Sequence, residues 1–476
     1  MNTILTMSSF IFPLITFPYV SRILLPEGTG KIAFVTSVVS YFSMFAQLGI
    51  PTYGIRACAR VRDDEKELSR TVHELFLINL IMSVFAYTAL FIAITYIPRL
   101  RQEKLLFMII SLTIIFNAIG MEWLYKALEQ YTYITIRSVI FKFIALLIMF
   151  FLVREQKDYI CYGAITIFAA SASNIFNFIN IYHYIEIKPL GEYDLKKHIK
   201  AIAVFFAISC AATVYTNLDS VMLGFMKSDT DVGYYNAAVK IKGILLGLVT
   251  SLGTVLLPRV SYYIEKNLLD DFRKIAGKAI NFVLRIAIPL CVYFILFAEE
   301  SIYLLSGTAY KGSILPMQII MPTLIFIGLT NIMGIQMLVP MGKEKYVLYS
   351  EIAGAMADLL LNVVMIPEFG ASGAALGTMI AEIVVWIVQF YFMKTDVKGI
   401  YREIRYGLLI GAAVVGSVLS FWVKRQNWNV FIMLVVSSCL YFGGYILILY
   451  FANDSLTVEV KNKIVSILKK KQETDI

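Results

Sequence analysis

The chemistry of this chain sits in charged and polar residues embedded in apolar sequence. Within 234–258, Asn236, Lys240, Gly243, Gly247, Thr250 and Thr254 recur at helical spacing and share one face. An ionisable side chain in such a segment costs about 2.5–3.5 kcal/mol on insertion scales, so it faces protein or a water-filled cavity. Lys240 therefore points along a polar stripe, where it binds an anion or forms a structural ion pair. The partner for such a pair is Asp219 in the preceding stretch, on a face with Ser209, Thr213, Thr216 and Ser220. Asp219 and Lys240 each lie roughly 9 Å in from the turn between them. Arg285 is the deepest cation, about 12 Å from the end of 277–298, with Asn281 one turn before it and Pro289 one turn after. Asp358 (with Glu351, Gly354 and Asn362) and Glu382 (with Thr378 and Gln389) fall near the middle of consecutive stretches. Carboxylates there carry a proton or Na⁺, or neutralise Arg285. Asn177 and Asn180, with Thr166 and Ser173, make an uncharged face that suits sugar hydroxyls or plain helix packing. Lys142 and Arg22 lie nearer segment ends, where long cationic stems reach the interface.

The elements that position these residues are membrane helices. The 476 residues are 59% hydrophobic and 16% charged, with a mean hydropathy of +0.74. Soluble domains carry about 45–50% apolar and about 25% charged residues. Stretches long enough to cross about 30 Å of hydrocarbon run from 3–25 and 31–54 through to 404–424 and 429–451, about fourteen in all. The expected fold is an all-α polytopic membrane protein. The first stretch lacks a basic leader and a small-x-small cleavage site and contains Pro13, Pro18 and Arg22, so it reads as a retained helix. Prolines at 13, 18, 289, 316 and 322 predict bent helices.

Alternate loops hold 27 Lys and Arg on one side against 10 on the other, which places both termini in the cytoplasm. The net charge of +9 is explained by these loops, and nucleic acid is not an expected partner. Loops of at most about 20 residues leave no room for a soluble catalytic domain, which argues against an enzyme. The five cysteines lack CxxC spacing and read as small buried apolar residues, and the three histidines do not cluster, so neither a disulfide nor a metal is expected. No phosphate-binding Gly-rich loop is present, so the drive for transport must be H⁺, Na⁺, the membrane potential or the substrate itself. The turns before the second and eighth stretches, GTGKIAF at 28–34 and DVGYYNA at 231–237, resemble each other, as does GASGAA at 370–375. That spacing predicts two six-helix lobes, 1–183 and 199–393, joined by a cytoplasmic linker at 184–198. Two further helices follow at 404–451, then a basic tail at 452–476. The tail's segment 454–471 is read as a membrane-surface helix or a solvated positive tail. Paired lobes around a site at the midplane are a transporter arrangement.

The chain resembles the polysaccharide repeat-unit flippases, or O-antigen and teichoic-type oligosaccharide translocases, of the multidrug/oligosaccharidyl-lipid/polysaccharide exporter superfamily. The residues that carry the likeness are FPLITFPYVSRIL (12–24) with GTGKIAF, GIPTYGIRACARVRDD (49–64), EWLYKALEQYTYITIRS (122–138), TNLDSVMLGFMKSDTDVGYYNAAVKI (216–241), LLPRVSYYIEK (256–266), NIMGIQMLVPMGKEK (331–345) and PEFGASGAALGTMIAE (367–382). The aspartate usual before the tryptophan of the fourth helix is Glu122 here, which keeps the charge. The resemblance implies a MATE-like, pseudo-twofold inner-membrane transporter. It would turn an undecaprenyl-diphosphate-type oligosaccharide lipid from the cytoplasmic to the outer leaflet by alternating access, alongside a polysaccharide polymerase and chain-length machinery. Such a diphosphate calls for cavity cations, and Arg22, Arg56, Lys240 and Arg285 are the expected contacts. The competing readings are a cation-coupled multidrug exporter, which would favour an anionic cavity, and a membrane enzyme of polysaccharide assembly. The latter would need a larger outside loop than 299–313.

Overall fold

A computed structural model describes residues 2–251, 253–266 and 268–454. The segment 454–471, read as a membrane-surface helix or a solvated positive tail, falls from 455 onward outside the described residues. The described chain is helical, with no strand, as a backbone surrounded by hydrocarbon requires, because a helix satisfies its own polar groups.

The helices are α1 (Asn2–Gln47), α2 (Ile50–Arg60), α3 (Glu65–Tyr96), α4 (Lys104–Gly120), α5 (Glu122–Ala127), α6 (Tyr131–Leu152), α7 (Tyr159–Ile167), α8 (Asn174–Asn180) and α9 (Lys196–Met226). They continue as α10 (Asp229–Thr250), α11 (Gly253–Glu265), α12 (Leu269–Leu296), α13 (Ile314–Ile320), α14 (Thr323–Thr330), α15 (Glu344–Phe369), α16 (Ala371–Glu403), α17 (Tyr406–Phe421) and α18 (Val430–Phe451). Among the described residues ten helices are long and apolar enough to cross a membrane, or up to eleven with the pair Thr308–Ile320 and Thr323–Leu338, which is bent by 47°. That bend falls at Pro322, one of the expected breaks.

One of the two breaks in the first 60 residues falls at an expected span boundary, after 25, and the other falls inside the stretch expected to run from 31 to 54. Leu25, at φ 59 and ψ 177, divides α1 into two arms just before Pro26. Leu48 and Gly49, at φ 48 and φ 74, separate α1 from α2. Gly49 is required twice over: its φ is left-handed, and a Cβ there would lie 2.6 Å from the backbone of Phe205 in α9.

The described residues divide into two compact units. The first holds everything up to Asn236, with Leu305–Tyr310 and Leu359–Ala374, and the second holds the remainder. The dividing lines run through α10, α15 and α16. Helix α9 goes with the first unit, whereas the expected second lobe begins at 199. Within the first unit α3, α4, α6 and α9 pack on α1, and α2 packs on α5. Its core joins Ile50, Cys58, Leu68, Val72, Leu75 and Trp123 to Ile181, Ile185 and Ile202. Within the second unit α12 carries α11, α14 and the hairpin of α17 and α18. Of the five cysteines expected as buried, Cys58 and Cys291 are; Cys439 is exposed, since an apolar run in lipid does not say which face meets protein.

Candidate functional site

Three of the four expected cations have accessible side chains. Arg22, Arg56 and Lys240 are exposed on α1, α2 and α10. The Arg22 guanidinium donates to the Pro18 carbonyl and its stem lies beside Gly307. Around it the first arm is fixed by Ser21, whose hydroxyl donates to the Leu305 carbonyl at 3.2 Å, and the second arm by Thr29, whose hydroxyl is 2.7 Å from that of Tyr310. Arg56 lies on the free side of α2, whose other side is buried at Gly54 and Cys58; Gly54 packs so near the Trp123 ring that a Cβ would lie 2.7 Å from it.

The three expected carboxylates are all buried: Asp219 at 5% exposure, Asp358 at 1% and Glu382 at 6%. Asp219 belongs to the first unit and Lys240 to the second. Within its own unit Asp219 accepts from the Tyr235 hydroxyl and, at 2.7 Å, from the Asn362 amide. Asn236 donates to the Ser220 hydroxyl at 3.1 Å and to the Val232 carbonyl at 3.0 Å, so its amide is used locally.

Asn177 is engaged in packing, one of the two readings open for its face. Helix α4 stops at Gly120 and restarts after Met121, which sits at φ 39. The Asn177 amide donates to the freed Gly120 carbonyl at 2.7 Å, and the Tyr125 hydroxyl donates to the Asn177 carbonyl at 2.6 Å. Asn180, one turn on, is half-buried. The same brace contains Arg137, which from sequence counts only as a loop cation. It is buried in α6, donates to the Ser173 carbonyl at 2.9 Å and the Asn174 side chain at 3.2 Å, and faces Glu122 at 3.9 Å. Ser173 follows a π-helical turn at Phe168–Ala172, and such a turn displaces the helical hydrogen bonds that would otherwise satisfy nearby carbonyls. The signal for this brace was present, since Glu122 and Arg137 both lie in the segment 122–138. Arg137→Ala leaves two acceptors unfilled and is expected to cost about 1–3 kcal/mol, read as a lowered melting temperature of the purified protein.

Arg285 is engaged by a partner that sequence reasoning missed. Its Nη2 is paired with Asp454 just beyond α18, with side-chain exposures of 14% and 3%, while its Nε and Nη1 are buried with no hydrogen-bond partner among the described residues. The Tyr445 hydroxyl donates to the Arg285 carbonyl at 3.2 Å. Farther along, Tyr293 donates to the Leu434 carbonyl at 3.1 Å and packs with Phe297 and Tyr441, and Lys424 lies 3.2 Å from Glu300. A separation of 169 residues hides the Arg285 pair from any motif search.

Where the two arms of α1 meet, the turn at Pro26 touches the start of α10 backbone to backbone. A Cβ on Gly30 would lie 1.7 Å from the Asp229 carbonyl oxygen, and one on Gly233 would lie 2.0 Å from that of Pro26. Arg99 closes the contact: it pairs with Asp229, donates from Nε to the Gly224 carbonyl at 2.7 Å, and lies 4.5 Å over the Phe34 ring.

The family profile described as "Polysaccharide biosynthesis protein" matches residues 1–264, and that described as "MatE" matches residues 205–364. The "Putative O-antigen transporter" of Escherichia coli (strain K12) is 22% identical over 391 residues, 82% of this chain and 94% of that protein. The "Probable lipid II flippase MurJ" of Treponema pallidum (strain Nichols) is 24% identical over 212 residues, 43% of this chain and 34% of that protein. Among solved structures, "Lipid II flippase MurJ, inward closed conformation" has a TM-score of 0.71 at 15% identity, covering 95% of this chain and 99% of that one. An inward-facing multidrug resistance MATE family transporter has a TM-score of 0.59 at 15% identity, covering 82% of this chain and 95% of that one. At these identities the structures share the fold.

Proposed function

Because the chain belongs to the polysaccharide biosynthesis protein family, whose profile matches residues 1–264, we propose that it is a flippase for a lipid-linked oligosaccharide. The observation that carries the proposal is a likeness along most of both chains to a protein named as an O-antigen transporter, over 82% of this one and 94% of that one. The cargo is a repeat unit on an undecaprenyl-diphosphate-type carrier. It passes from the cytoplasmic to the outer leaflet of the inner membrane by alternating access between two lobes, and a polymerase with its chain-length machinery then uses it. A diphosphate is multiply charged and has to be matched inside a low-dielectric membrane. Arg22, Arg56 and Lys240 meet it with accessible side chains, and Arg285 with the two nitrogens not used on Asp454. Asp219, Asp358 and Glu382 are the groups through which H⁺ or Na⁺ would be coupled, with the membrane potential as the other source of drive.

The reading has fourteen spans. A 46-residue α1 would be about 69 Å long, more than twice the roughly 30 Å of hydrocarbon, and its break at Leu25 supports two crossings. The bent pair taken once, together with α4 and α10, brings the total to fourteen, and the excess of basic residues puts both termini in the cytoplasm. A second reading, a cation-coupled multidrug exporter, is favoured by the MatE match over 205–364.

The test is where the oligosaccharide stands in cells lacking the protein, read with a sugar-specific probe that cannot cross the membrane. Complete repeat units held on the cytoplasmic leaflet are expected. Unchanged display on the outer leaflet would remove the flippase reading and favour the exporter. In the same assay Lys240→Ala is expected to lower export about ten- to a hundred-fold at normal abundance, the equivalent of losing one charge-assisted hydrogen bond of about 1.5–3 kcal/mol. Export at the wild-type rate would take Lys240 out of the site.

A further inference from the structure

The segment between α8 and α9 would serve as a loose tether if the two lobes met there. Instead it is fastened to α3 along its length. The Glu186 amide donates to the Ser69 hydroxyl at 2.9 Å, and the Tyr193 hydroxyl, which accepts from the Leu190 amide at 3.2 Å, lies 3.0 Å from Nδ1 of His73. The strongest tie is Glu74, whose side chain is 0% exposed. Its carboxylate accepts from the Asp194 amide, Lys197 Nζ and His198 Nε2, each at 2.8 Å, and the Tyr53 hydroxyl of α2 closes the far side of His198 at 2.8 Å from Nδ1. Buried charge is retained only where it is paired and hydrogen-bonded, and its best-attested use is to fix one register among alternatives. Ile181, Ile185 and Ile202 join the core of the first unit, and Phe205 and Phe206 touch the backbone of Gly49. From 203 to 218, by contrast, no residue of α9 is buried, and burial resumes at Asp219 and Ser220.

From this pattern we infer that residues 186–206 are a fixed part of the first lobe and that Glu74 is the residue that positions them. The inference rests on the alternating-access reading above. It moves the working boundary of the first lobe from 183 to beyond 206 and gives Glu74 a role that no cavity contact requires.

The experiment uses the full chain with its five cysteines replaced and the pair Ser69→Cys and Glu186→Cys added, with His73→Cys and Tyr193→Cys as an independent second pair. Oxidation in membranes is expected to cross-link most of the protein, and the cross-linked protein is expected to export at the rate seen after reduction. Export blocked by the cross-link and restored by reductant would overturn the fixed segment. Absence of cross-linking at both pairs in normally abundant protein would overturn the clamp itself. Adding Glu74→Ala is expected to lower the cross-linking yield several-fold, and Glu74→Gln, which still accepts hydrogen bonds, to restore part of it. Equal yields in all three would remove Glu74 as the positioning residue. If the reduced protein supports no export in the first place, it is the flippase reading that fails, and the cross-linking yields still decide the clamp.

Discussion

Gly233→Ala is expected to lower export about tenfold or more while leaving the protein inserted. The added methyl group would lie 2.0 Å from the Pro26 carbonyl oxygen, well inside van der Waals contact. Neither partner can yield by a side-chain rotation, because both surfaces are backbone. The turn at Pro26 and the start of α10 must then part by about 1 Å or more, since well-packed interfaces are bistable rather than continuously deformable. With them goes the geometry by which Arg99 reaches Asp229 and Gly224 together. Both surfaces belong to the first unit, so the contact is one of its internal supports. Its loss would distort that unit and slow turnover about tenfold or more, the effect of raising the barrier by about 1.4 kcal/mol or more. The companion measurement is labelling of Thr29→Cys by an impermeant maleimide in a chain with its own cysteines replaced. Labelling should rise with Gly233→Ala, and Gly30→Ala should repeat both effects. Wild-type export by either variant would show that the turns do not have to meet.

Arg285 gives the second large effect, and the two views of it differ in what is lost. As a cavity cation its removal would stop export at normal abundance and stability. As the partner of Asp454 it fastens the last hairpin to α12, and removing one member of a buried pair costs about 3–5 kcal/mol because the other charge is left behind. The expected result is that Arg285→Ala and Asp454→Ala each lower melting temperature and abundance by similar amounts, with the double variant well short of their sum. Export per remaining molecule then isolates any contribution of the unused Nε and Nη1. Normal stability in both single variants would return Arg285 wholly to the cavity.

The helices and the bend at Pro322 were legible because hydrocarbon imposes length and apolarity on every crossing and proline removes a helical donor, whereas Pro13, Pro18, Pro289 and Pro316 lie inside helices with no break at them. Partners were less so. In lipid the outward face of a helix is as apolar as its packed face, so hydropathy places Arg285 at depth without saying that Asp454 meets it. Arg137 lies near the end of its stretch, where a count of loop Lys and Arg absorbs it, and Glu74 falls beside the start of its own stretch, outside that count, yet both are buried. The break at Leu25 falls where the first apolar stretch was expected to end, just before Pro26, whereas the break at Leu48 carries no mark of its own beyond the Gly49 that follows it. Asn177 shows the reverse case, a polar face seen from sequence whose use was decided by a carbonyl freed at Gly120 on another helix.

The bare stretch of α9 ties this protein to its host membrane. A helix fastened at both ends, with no fully buried residue from 203 to 218, meets protein there only through half-buried side chains such as Phe205 and Phe206 and leaves its exposed remainder to acyl chains. The thickness and fluidity of the surrounding bilayer therefore act on that exposed remainder alongside the neighbouring residues.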